Sequence, residues 1–418
     1  MMRICRLLCP RFIAALAFAS ASALAGDWPQ FLGPERRPFV EAEGLNLDWA
    51  NQPPEVLWRA DVEQGFTGPA VHDGEVFLLD RIDNKKDKLR CLSLADGKEL
   101  WSFEYDAPGR YGYGGSRTTP AVDKNSVYVV GPMGHFHCID RKTHKQVWKS
   151  HLLKDFGAKR PTWAVAQNPL LYKDTVIVAP LGGEAGVVAF DRESGAIAWE
   201  SKSLGGMQYV SPMLMTEGGV DQVLILGGKK HLAGLDATTG EVLWEYNGWS
   251  CSIPITAPLP LGNGYVFVTG GYNAGSALVR VQKDENGEFS VNEVFRNQEI
   301  GAQIHVPVVV GKHIYVNSNE NSRRNGLACL DIEGNVLWKT GKNPNFERGS
   351  LLQIGDLALG LDGNGGKLHL FAPNPEGYRE LASVNVLQGS QVWAPMAVAD
   401  GRLLIRDQKT LVCLDLQK

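Results

Sequence analysis

The sequence predicts an all-β fold, an eight-bladed β-propeller of four-stranded antiparallel blades in which N- and C-terminal strands share one blade. Three observations favour it. The composition is 44% hydrophobic with 47 glycines, which is typical of a globular chain with many turns. A tryptophan recurs at intervals that suit a propeller blade. The last repeat also stops one strand before its end.

A large apolar residue, usually tryptophan, marks the last strand of each repeat at spacings of 43 to 51 residues. This period is that of a propeller blade and exceeds the repeat of most helical solenoids. Each unit has room for four short strands. The eight positions are Trp58, Trp101, Trp148, Trp199, Trp244, Phe295, Trp338 and Leu381.

One repeat illustrates the strand order. Thr119–Val122 begins an inner strand, and the β-branched run Val127–Val130 follows a polar turn. A third strand ends at His137–Asp140, and Lys142–Lys145 forms the next turn. Val147–Trp148 then begins the outer strand. The other repeats keep this order, although the unit from Leu351 to Leu381 is degenerate.

The chain ends before its last repeat is complete. Leu414–Asp415 corresponds to Ile139–Asp140, after which a tryptophan is due, but the chain stops at Lys418. Glu55–Trp58 is an outer strand with no inner three strands before it. Pairing the two segments completes an eighth blade and removes an exposed sheet edge. A seven-bladed ring with a frayed terminus is the alternative.

The first 25 residues predict an export signal. Three arginines precede the apolar run from Phe12 to Leu24, and Ala23–Ala25 suits signal cleavage. A membrane anchor is the alternative, but the run is shorter than the ~20 residues that span a bilayer. We therefore expect a signal peptide at 1–25, an arm at 26–54 and a propeller domain at 55–418, with a periplasmic or secreted location.

The charge balance does not favour nucleic acid as a partner. Removal of the three arginines in residues 1–25 leaves 39 basic against 46 acidic side chains, a net charge of −7. Nucleic-acid binding draws on clustered cations instead. We expect a monomer that engages an envelope protein, a peptide or a small molecule.

The segment Leu235–Trp244 closely resembles the repeat of pyrroloquinoline-quinone (PQQ) dehydrogenases and of the outer-membrane assembly factor BamB, and similar repeats cover about residues 55–418. The segment Asp27–Pro34 resembles the leader of exported PQQ-like propeller proteins of planctomycete-type bacteria. We expect the apolar residues of the arm to pack on the propeller. The repeats indicate fold more strongly than function.

Loops from each outer strand to the next inner strand are expected on one face around the central axis. They carry aromatic, cationic and amide side chains that suit a planar anion, although a peptide or glycan would fit equally. These groups could equally bind channel water and neighbouring backbone. The loops also contain Gln303 and Arg348, and the candidate ligand-binding residues are Arg110, Arg117, Arg160, Trp163, Tyr209, His305 and Trp393.

In the PQQ enzymes, the resemblance implies PQQ stacked on a tryptophan, a calcium ion and a catalytic aspartate. This sequence has no adjacent cysteines and no C-x-x-C-H haem motif, and no catalytic residue is assigned. We expect a non-catalytic binding or scaffold propeller of the cell envelope. The alternative is a small PQQ-dependent dehydrogenase of alcohols or sugars, with Trp163 or Trp393 as the stacking plate and Arg110, Arg117 or Arg160 as carboxylate partners.

Five cysteines follow residue 25, and four occupy the same third-strand position of different blades. Such positions lie too far apart for disulfides, so we expect buried thiols. His135 and His137 share one face of a strand, but no further ligand at metal-site spacing accompanies them. We expect ordinary strand histidines and no metal site. The five cysteines are Cys91, Cys138, Cys251, Cys329 and Cys413.

Overall fold

A computed structural model describes residues 26–228, 232–321 and 323–417. The predicted signal peptide, residues 1–25, lies outside these ranges. The strands, in chain order, are β1 Phe39–Val40, β2 Val56–Asp61, β3 Ala70–His72, β4 Glu75–Ile82, β5 Lys86–Ser93, β6 Glu99–Asp106, β7 Ala121–Val122, β8 Ser126–Val130, β9 His135–Asp140, β10 Gln146–His151, β11 Leu170–Tyr172, β12 Thr175–Val178, β13 Val188–Asp191, β14 Ile197–Glu200, β15 Met213–Glu217, β16 Val220–Leu226, β17 Leu232–Asp236, β18 Val242–Tyr246, β19 Leu259–Gly262, β20 Tyr265–Gly270, β21 Gly275–Lys283, β22 Phe289–Asn297, β23 Val308–Val310, β24 His313–Asn319, β25 Arg324–Asp331, β26 Val336–Lys339, β27 Leu351–Ile354, β28 Leu357–Leu361, β29 Lys367–Ala372, β30 Arg379–Asn385, β31 Ala397–Ala399, β32 Arg402–Arg406 and β33 Thr410–Asp415.

These strands form eight antiparallel blades. Blades one to seven each take four consecutive strands, from β3–β6 to β27–β30. First strands of neighbouring blades contact one another, as β3 does with β7, so they surround the central axis. The predicted eight-bladed propeller is confirmed, and the degenerate repeat forms a complete blade. None of the described residues belongs to a helix long and apolar enough to cross a bilayer.

The blades are joined by the turn before each outer strand. In blade four, Asp236 Oδ1 accepts hydrogen bonds from the backbone N–H groups of Thr238 (2.7 Å) and Thr239 (3.1 Å). Gly240 then takes a φ of +76°, and a Cβ at this residue would lie 2.4 Å from the Trp199 ring of blade three. The tryptophan of one blade therefore packs on the glycine turn of the next.

The eighth blade closes the ring as predicted. Strand β2 pairs antiparallel with β33, so that Val56 lies opposite Leu414 and Trp58 opposite Cys413. Strands β31 and β32 complete the sheet. The Trp58 indole donates a 2.8 Å hydrogen bond to the carbonyl of Leu94 in blade one. The closing strand therefore makes the same indole-to-carbonyl contact with the next blade as Trp148, Trp199 and Trp338 do.

The N-terminal arm lies along the inner strands. Trp28 pairs with Val71 of β3 through two backbone hydrogen bonds of 3.0 and 2.8 Å. The N–H of Val122 in β7 donates to the carbonyl of Pro29 (2.8 Å). At the other end of the arm, β1 adds a fifth strand to blade seven, parallel to β27.

Inner strands line the axis of a propeller, so these contacts put the arm in the central channel. Of the apolar arm residues, Trp28, Leu32, Val40, Leu45 and Trp49 are buried, whereas Phe31, Phe39 and Leu47 are half-buried. The expectation that the arm packs on the propeller is confirmed for these residues.

The four strand cysteines occupy equivalent positions, as predicted. Cys91, Cys138, Cys329 and Cys413 lie in the third strands of their blades, are fully buried and form no disulfide. Burial raises the pKa of each thiol. Cys251 is also buried, in a loop, with its Sγ 3.5 Å from the carbonyl oxygen of Gly271.

Candidate functional site

A pocket of about 190 Å³ opens on the face that carries the loops between outer and inner strands. Loops of several blades contribute to it, as the strand order predicts. Its lining residues are Phe31, Phe66, Tyr113, Arg117, Trp163, Ala166, Asn168, Tyr209, Ser211, Ile255, Ala257, Tyr272, Gln303, Ile304, His305, Asn321, Arg348, Trp393 and Pro395.

The arm contributes Phe31 to this pocket, and Arg36 of the arm holds the Phe31 ring in place. The Arg36 guanidinium lies 5.7 Å from the centroid of the Phe31 ring. Arg36 is buried and donates to the carbonyl of Pro169 (2.8 Å) and to Gln30 Oε1 (3.2 Å). Burial lowers the pKa of Arg36 to about 9, so the group stays charged at neutral pH. The pocket is therefore built partly by the arm.

Trp393 forms one aromatic wall. Its ring stacks on Phe66 with centroids 5.5 Å apart and an interplanar angle of 17°, and Tyr113 lies 6.0 Å away. The indole N–H donates to Glu347 Oε2 (2.7 Å), which fixes the ring plane. Planar aromatic surfaces of this kind favour stacking with a flat ligand.

Arg348 lies beside this wall, with its guanidinium carbon 5.2 Å from the Trp393 ring centroid. Its Nε donates to Gln303 Oε1 (2.8 Å), and its terminal nitrogens contact Glu347 and Asn321. Gln303 in turn donates to the Tyr272 hydroxyl (3.1 Å). These bonds hold the guanidinium in one orientation at the pocket wall.

Arg117 supplies a second cation. It donates to three backbone carbonyls of its own loop, including those of Gly112 and Gly115, both at 3.0 Å. Its guanidinium lies over the Tyr111 ring at 4.8 Å and over Phe66 at 5.5 Å. Desolvation lowers the pKa of Arg117. Because its partners are neutral carbonyls, the positive charge is left uncompensated by a carboxylate among these contacts.

Trp163 and Tyr209 form a second aromatic pair in the pocket. Their ring centroids are 5.7 Å apart, and the Trp163 backbone N–H donates to the Tyr209 hydroxyl (3.1 Å). Burial raises the pKa of Tyr209. The hydroxyl therefore stays protonated and fixes the two loops to each other.

His305 lines the pocket between these walls. Burial lowers its pKa to about 4, so the ring is neutral at pH 7. Its Nε2 atom is buried and has no hydrogen-bond partner. A neutral imidazole with an open nitrogen offers a hydrogen-bonding position to a ligand.

Five of the seven predicted ligand-binding residues line the pocket, namely Arg117, Trp163, Tyr209, His305 and Trp393. Arg110 is exposed and lies outside the lining. Arg160 is also exposed, with its guanidinium 5.9 Å from the Tyr111 ring. Sequence reasoning did not find Phe31, because its place in the pocket depends on the path of the arm.

The donor set of the pocket suits PQQ and calcium to different degrees. The aromatic walls and two guanidiniums suit a flat molecule with carboxylates. Calcium needs six to eight oxygen ligands, usually with carboxylates among them, and the described lining includes no aspartate or glutamate. The side-chain oxygens of Asn168 and Asn321 accept hydrogen bonds from Thr119 and Arg348. The pocket therefore fits a planar anion, whereas the calcium site of the PQQ enzymes does not fit.

Comparison with known proteins gives relatives that include quinone-dependent dehydrogenases and an outer membrane assembly factor. A quinone-dependent alcohol dehydrogenase subunit of Gluconobacter oxydans is 30% identical over 194 residues, which cover 42% of this chain and 24% of the relative. The chain thus spans about a quarter of that enzyme's length. The outer membrane protein assembly factor BamB of Burkholderia pseudomallei is 24% identical over 318 residues, covering 71% of this chain and 74% of the relative.

Solved structures show the same fold. BamB from Moraxella catarrhalis superimposes with a TM-score of 0.58 at 15% identity, over 87% of this chain and 97% of that one. Quinohemoprotein alcohol dehydrogenase from Comamonas testosteroni superimposes with a TM-score of 0.62 at 14% identity, over 94% and 81% respectively.

The family model described as outer membrane protein assembly factor BamB matches residues 85–340, more than half of the chain. With the eight blades and the tryptophan-on-glycine contacts between them, this match places the protein in the BamB-like family of PQQ-like β-propellers.

Proposed function

We propose that the chain is a non-catalytic binding propeller of the cell envelope that holds an anionic, partly aromatic ligand in the pocket on its loop face. The supporting observation is that Arg117 and Arg348 line an aromatic pocket in which the described lining includes no carboxylate. Arg117, whose contacts are neutral carbonyls, attracts an anion, and Arg348, which is paired with Glu347, helps to orient it, while the rings bury its apolar part. The ligand is a small molecule or a peptide of an envelope protein.

The absence of an acidic side chain from the described lining also bears on catalysis. Oxidation of an alcohol removes the hydroxyl proton, which a general base in the site accepts. In the described lining, His305 is the titratable group with an open nitrogen, and burial lowers its pKa to about 4. So weak a base favours binding over proton abstraction.

Binding can be followed by the fluorescence of Trp163 and Trp393 while aromatic carboxylates, peptides and oligosaccharides are added. We expect an aromatic carboxylate or a peptide carboxylate to bind, and Arg117→Gln or Arg348→Gln to weaken binding at least tenfold. Arg110→Gln and Arg160→Gln are matched controls, since both arginines are exposed outside the lining, and should bind as wild type. Equal losses in all four variants would contradict the pocket assignment.

The alternative, a small PQQ-dependent dehydrogenase, is tested on the same protein. After incubation with PQQ and calcium, a PQQ absorbance together with alcohol- or sugar-dependent dye reduction would reject the non-catalytic proposal. If PQQ binds without dye reduction, the double variant Trp163→Ala with Trp393→Ala should abolish binding while the fold survives. Unchanged PQQ binding in that variant would place the cofactor elsewhere.

A further inference from the structure

Three histidine rings form a row on blade two, away from the pocket. His135 and His137 are two residues apart on β9, and His151 of β10 lies opposite His135 in the sheet register. The His135 ring centroid is 4.7 Å from that of His151 and 6.2 Å from that of His137. The strand pairing therefore supplies the third histidine that spacing along the sequence did not reveal.

Each of these rings has a nitrogen that is buried and has no hydrogen-bond partner: Nδ1 of His135, Nε2 of His137 and Nδ1 of His151. Leaving one buried polar atom unpaired destabilises the folded state. Natural proteins rarely tolerate such a cost without an unseen water or ion. Three unpaired nitrogens in one row therefore indicate a missing partner, such as a cation, that binds nitrogen lone pairs.

The protonation state of the rings agrees with this. Burial lowers the pKa of His135 and of His137 to about 4, and it also lowers that of His151. All three imidazoles are therefore neutral at pH 7, the form that binds metal ions. His137 Nδ1 lies 2.9 Å from Gln146 Oε1, so Nδ1 carries the proton and Nε2 keeps its lone pair.

We propose that His135, His137 and His151 form a binding site for a transition-metal cation of the Zn²⁺ and Cu²⁺ class. Imidazole is a preferred ligand for both ions, whereas calcium and magnesium need oxygen ligands. The ligand atoms of the three rings do not all lie within 4.8 Å of one another, so coordination of one ion by all three side chains requires the rings to turn about their Cβ–Cγ bonds, which are soft torsions.

Charged side chains near these rings both oppose and favour a bound cation. Lys149 and Lys154 oppose a bound cation, and they contribute to the low pKa values of the neighbouring rings. Asp155 opposes this effect, since its Oδ2 accepts the His151 backbone N–H at 2.6 Å and its charge raises the His151 pKa. Neutral imidazole ligands thus have one carboxylate beside them.

A second histidine cluster serves as the control. The ligand atoms of Asp27, His72 and Asp73 lie within 4.8 Å of one another. Here His72 Nδ1 lies 3.2 and 3.0 Å from the two carboxylates but makes no hydrogen bond with them. Arg141 lies 3.4 Å from Asp73, which is exposed, and its charge opposes a bound cation, so we expect this cluster to contribute little to metal affinity.

The test is calorimetric titration of the tag-free, metal-free protein with ZnCl₂ and with CuSO₄, together with electron paramagnetic resonance of the Cu²⁺ form. We expect one ion per chain and hyperfine splitting from nitrogen ligands. His135→Gln and His151→Gln should each weaken binding at least tenfold, whereas His72→Gln should bind as wild type.

The His151→Gln variant also serves as a control for misfolding, because His151 is only partly buried. Its thermal midpoint without metal should match that of wild type, and Zn²⁺ should raise the midpoint of wild type alone. Absence of one-to-one binding would overturn the proposal. So would a Cu²⁺ spectrum without nitrogen ligands, or binding that is lost in His72→Gln and kept in His151→Gln.

Discussion

Trp58 lies opposite Cys413 in the blade that closes the ring, and its indole also donates a hydrogen bond to Leu94 of blade one. One side chain near the N-terminus therefore contacts the last strand of the chain and the first complete blade. Replacement of Trp58 by alanine should lower the free energy of unfolding by about 3–5 kcal/mol, as for other buried large-to-small changes.

Leu57→Ala is the matched control for this change. Leu57 precedes Trp58 in β2, but 41% of its surface is exposed, so we expect a loss below about 1 kcal/mol. Chemical denaturation followed by circular dichroism measures both. Equal losses would mean that the tryptophan contact does not secure closure.

Alanine substitutions at two glycines of blade one distinguish the free-energy cost of overpacking from that of backbone strain. Gly74 and Gly97 both have a φ of +72°, but a Cβ on Gly97 would lie 2.6 Å from the Trp58 ring, whereas the space beside Gly74 is open. Gly74→Ala should cost about 1–2 kcal/mol for the left-handed backbone. Gly97→Ala should cost about 1–3 kcal/mol more, for overpacking. Chemical denaturation measures the difference, provided that the unfolding free energies of both variants depend equally on denaturant concentration. Equal midpoints would contradict the contact between Gly97 and Trp58.

Nested deletions distinguish the arm from the closing strand. Removal of residues 27–58 takes away the first half of β2, including Trp58, so we expect the ring to lose its cooperative unfolding transition. Removal of residues 27–54 keeps β2 but uncovers the inner strands, so we expect a folded, less stable protein that binds a dye for exposed apolar surface. Calorimetry and dye fluorescence test both. If both deletions unfold cooperatively, pairing of β2 with β33 is not required for the ring.

The strand thiols should resist alkylation. Burial raises the pKa of Cys138 and of Cys413 to about 12, so thiolate is scarce at pH 8. Iodoacetamide should modify Cys91, Cys138, Cys329 and Cys413 only after denaturation, and reducing agent should leave the thermal midpoint unchanged. Peptide mass spectrometry identifies each site, and rapid native labelling at any of the four would contradict their burial.

Stability should fall as the pH falls from about 6.5 to about 4 through His135 and His137. Their pKa values are lowered to about 4 in the folded protein, so the unfolded chain binds more protons in this range. Asp87 acts in the opposite direction, because burial raises its pKa to about 6 and its contribution is lost as the pH rises through that value.

The contribution of His135 and His137 to the pH dependence of stability is isolated by comparing wild type with the double variant His135→Gln/His137→Gln. The double variant should lose less stability between pH 7 and pH 5 than wild type does. Urea denaturation at matched ionic strength measures the difference. A parallel decline in both proteins would assign the pH dependence to other groups.

The recurring tryptophans and the truncated last repeat were sufficient to predict the blades, their number and the pairing of Val56–Trp58 with the last strand. The repeat spacing is a local signal, because it depends on strands and turns within about 50 residues, and the closing pair followed from the strand that the last repeat lacks. The burial of the strand cysteines followed from the same periodicity. The path of the arm could not be predicted this way, since Arg36 bonds to the backbone of Pro169 in a distant blade.

The candidate site could be predicted only in part, because repeat spacing does not show contacts between distant segments. Loop position placed Trp163, Tyr209 and Trp393 together on one face, where the structure has them. It could not decide which arginines point inward, and Arg110 and Arg160 lie outside the lining. Nor could it predict that Glu347 orients both Trp393 and Arg348, because this depends on side-chain hydrogen bonds across blades.

Closure of the ring by β2 and β33 also bears on how fast the chain folds. The two strands are separated by nearly the whole propeller, and joining the ends of so long a loop costs about 5 kcal/mol of chain entropy. Contacts of this kind slow folding, whereas the hairpins within each blade are local. The blades are therefore expected to assemble first, with pairing of β2 and β33 as the late, rate-limiting event.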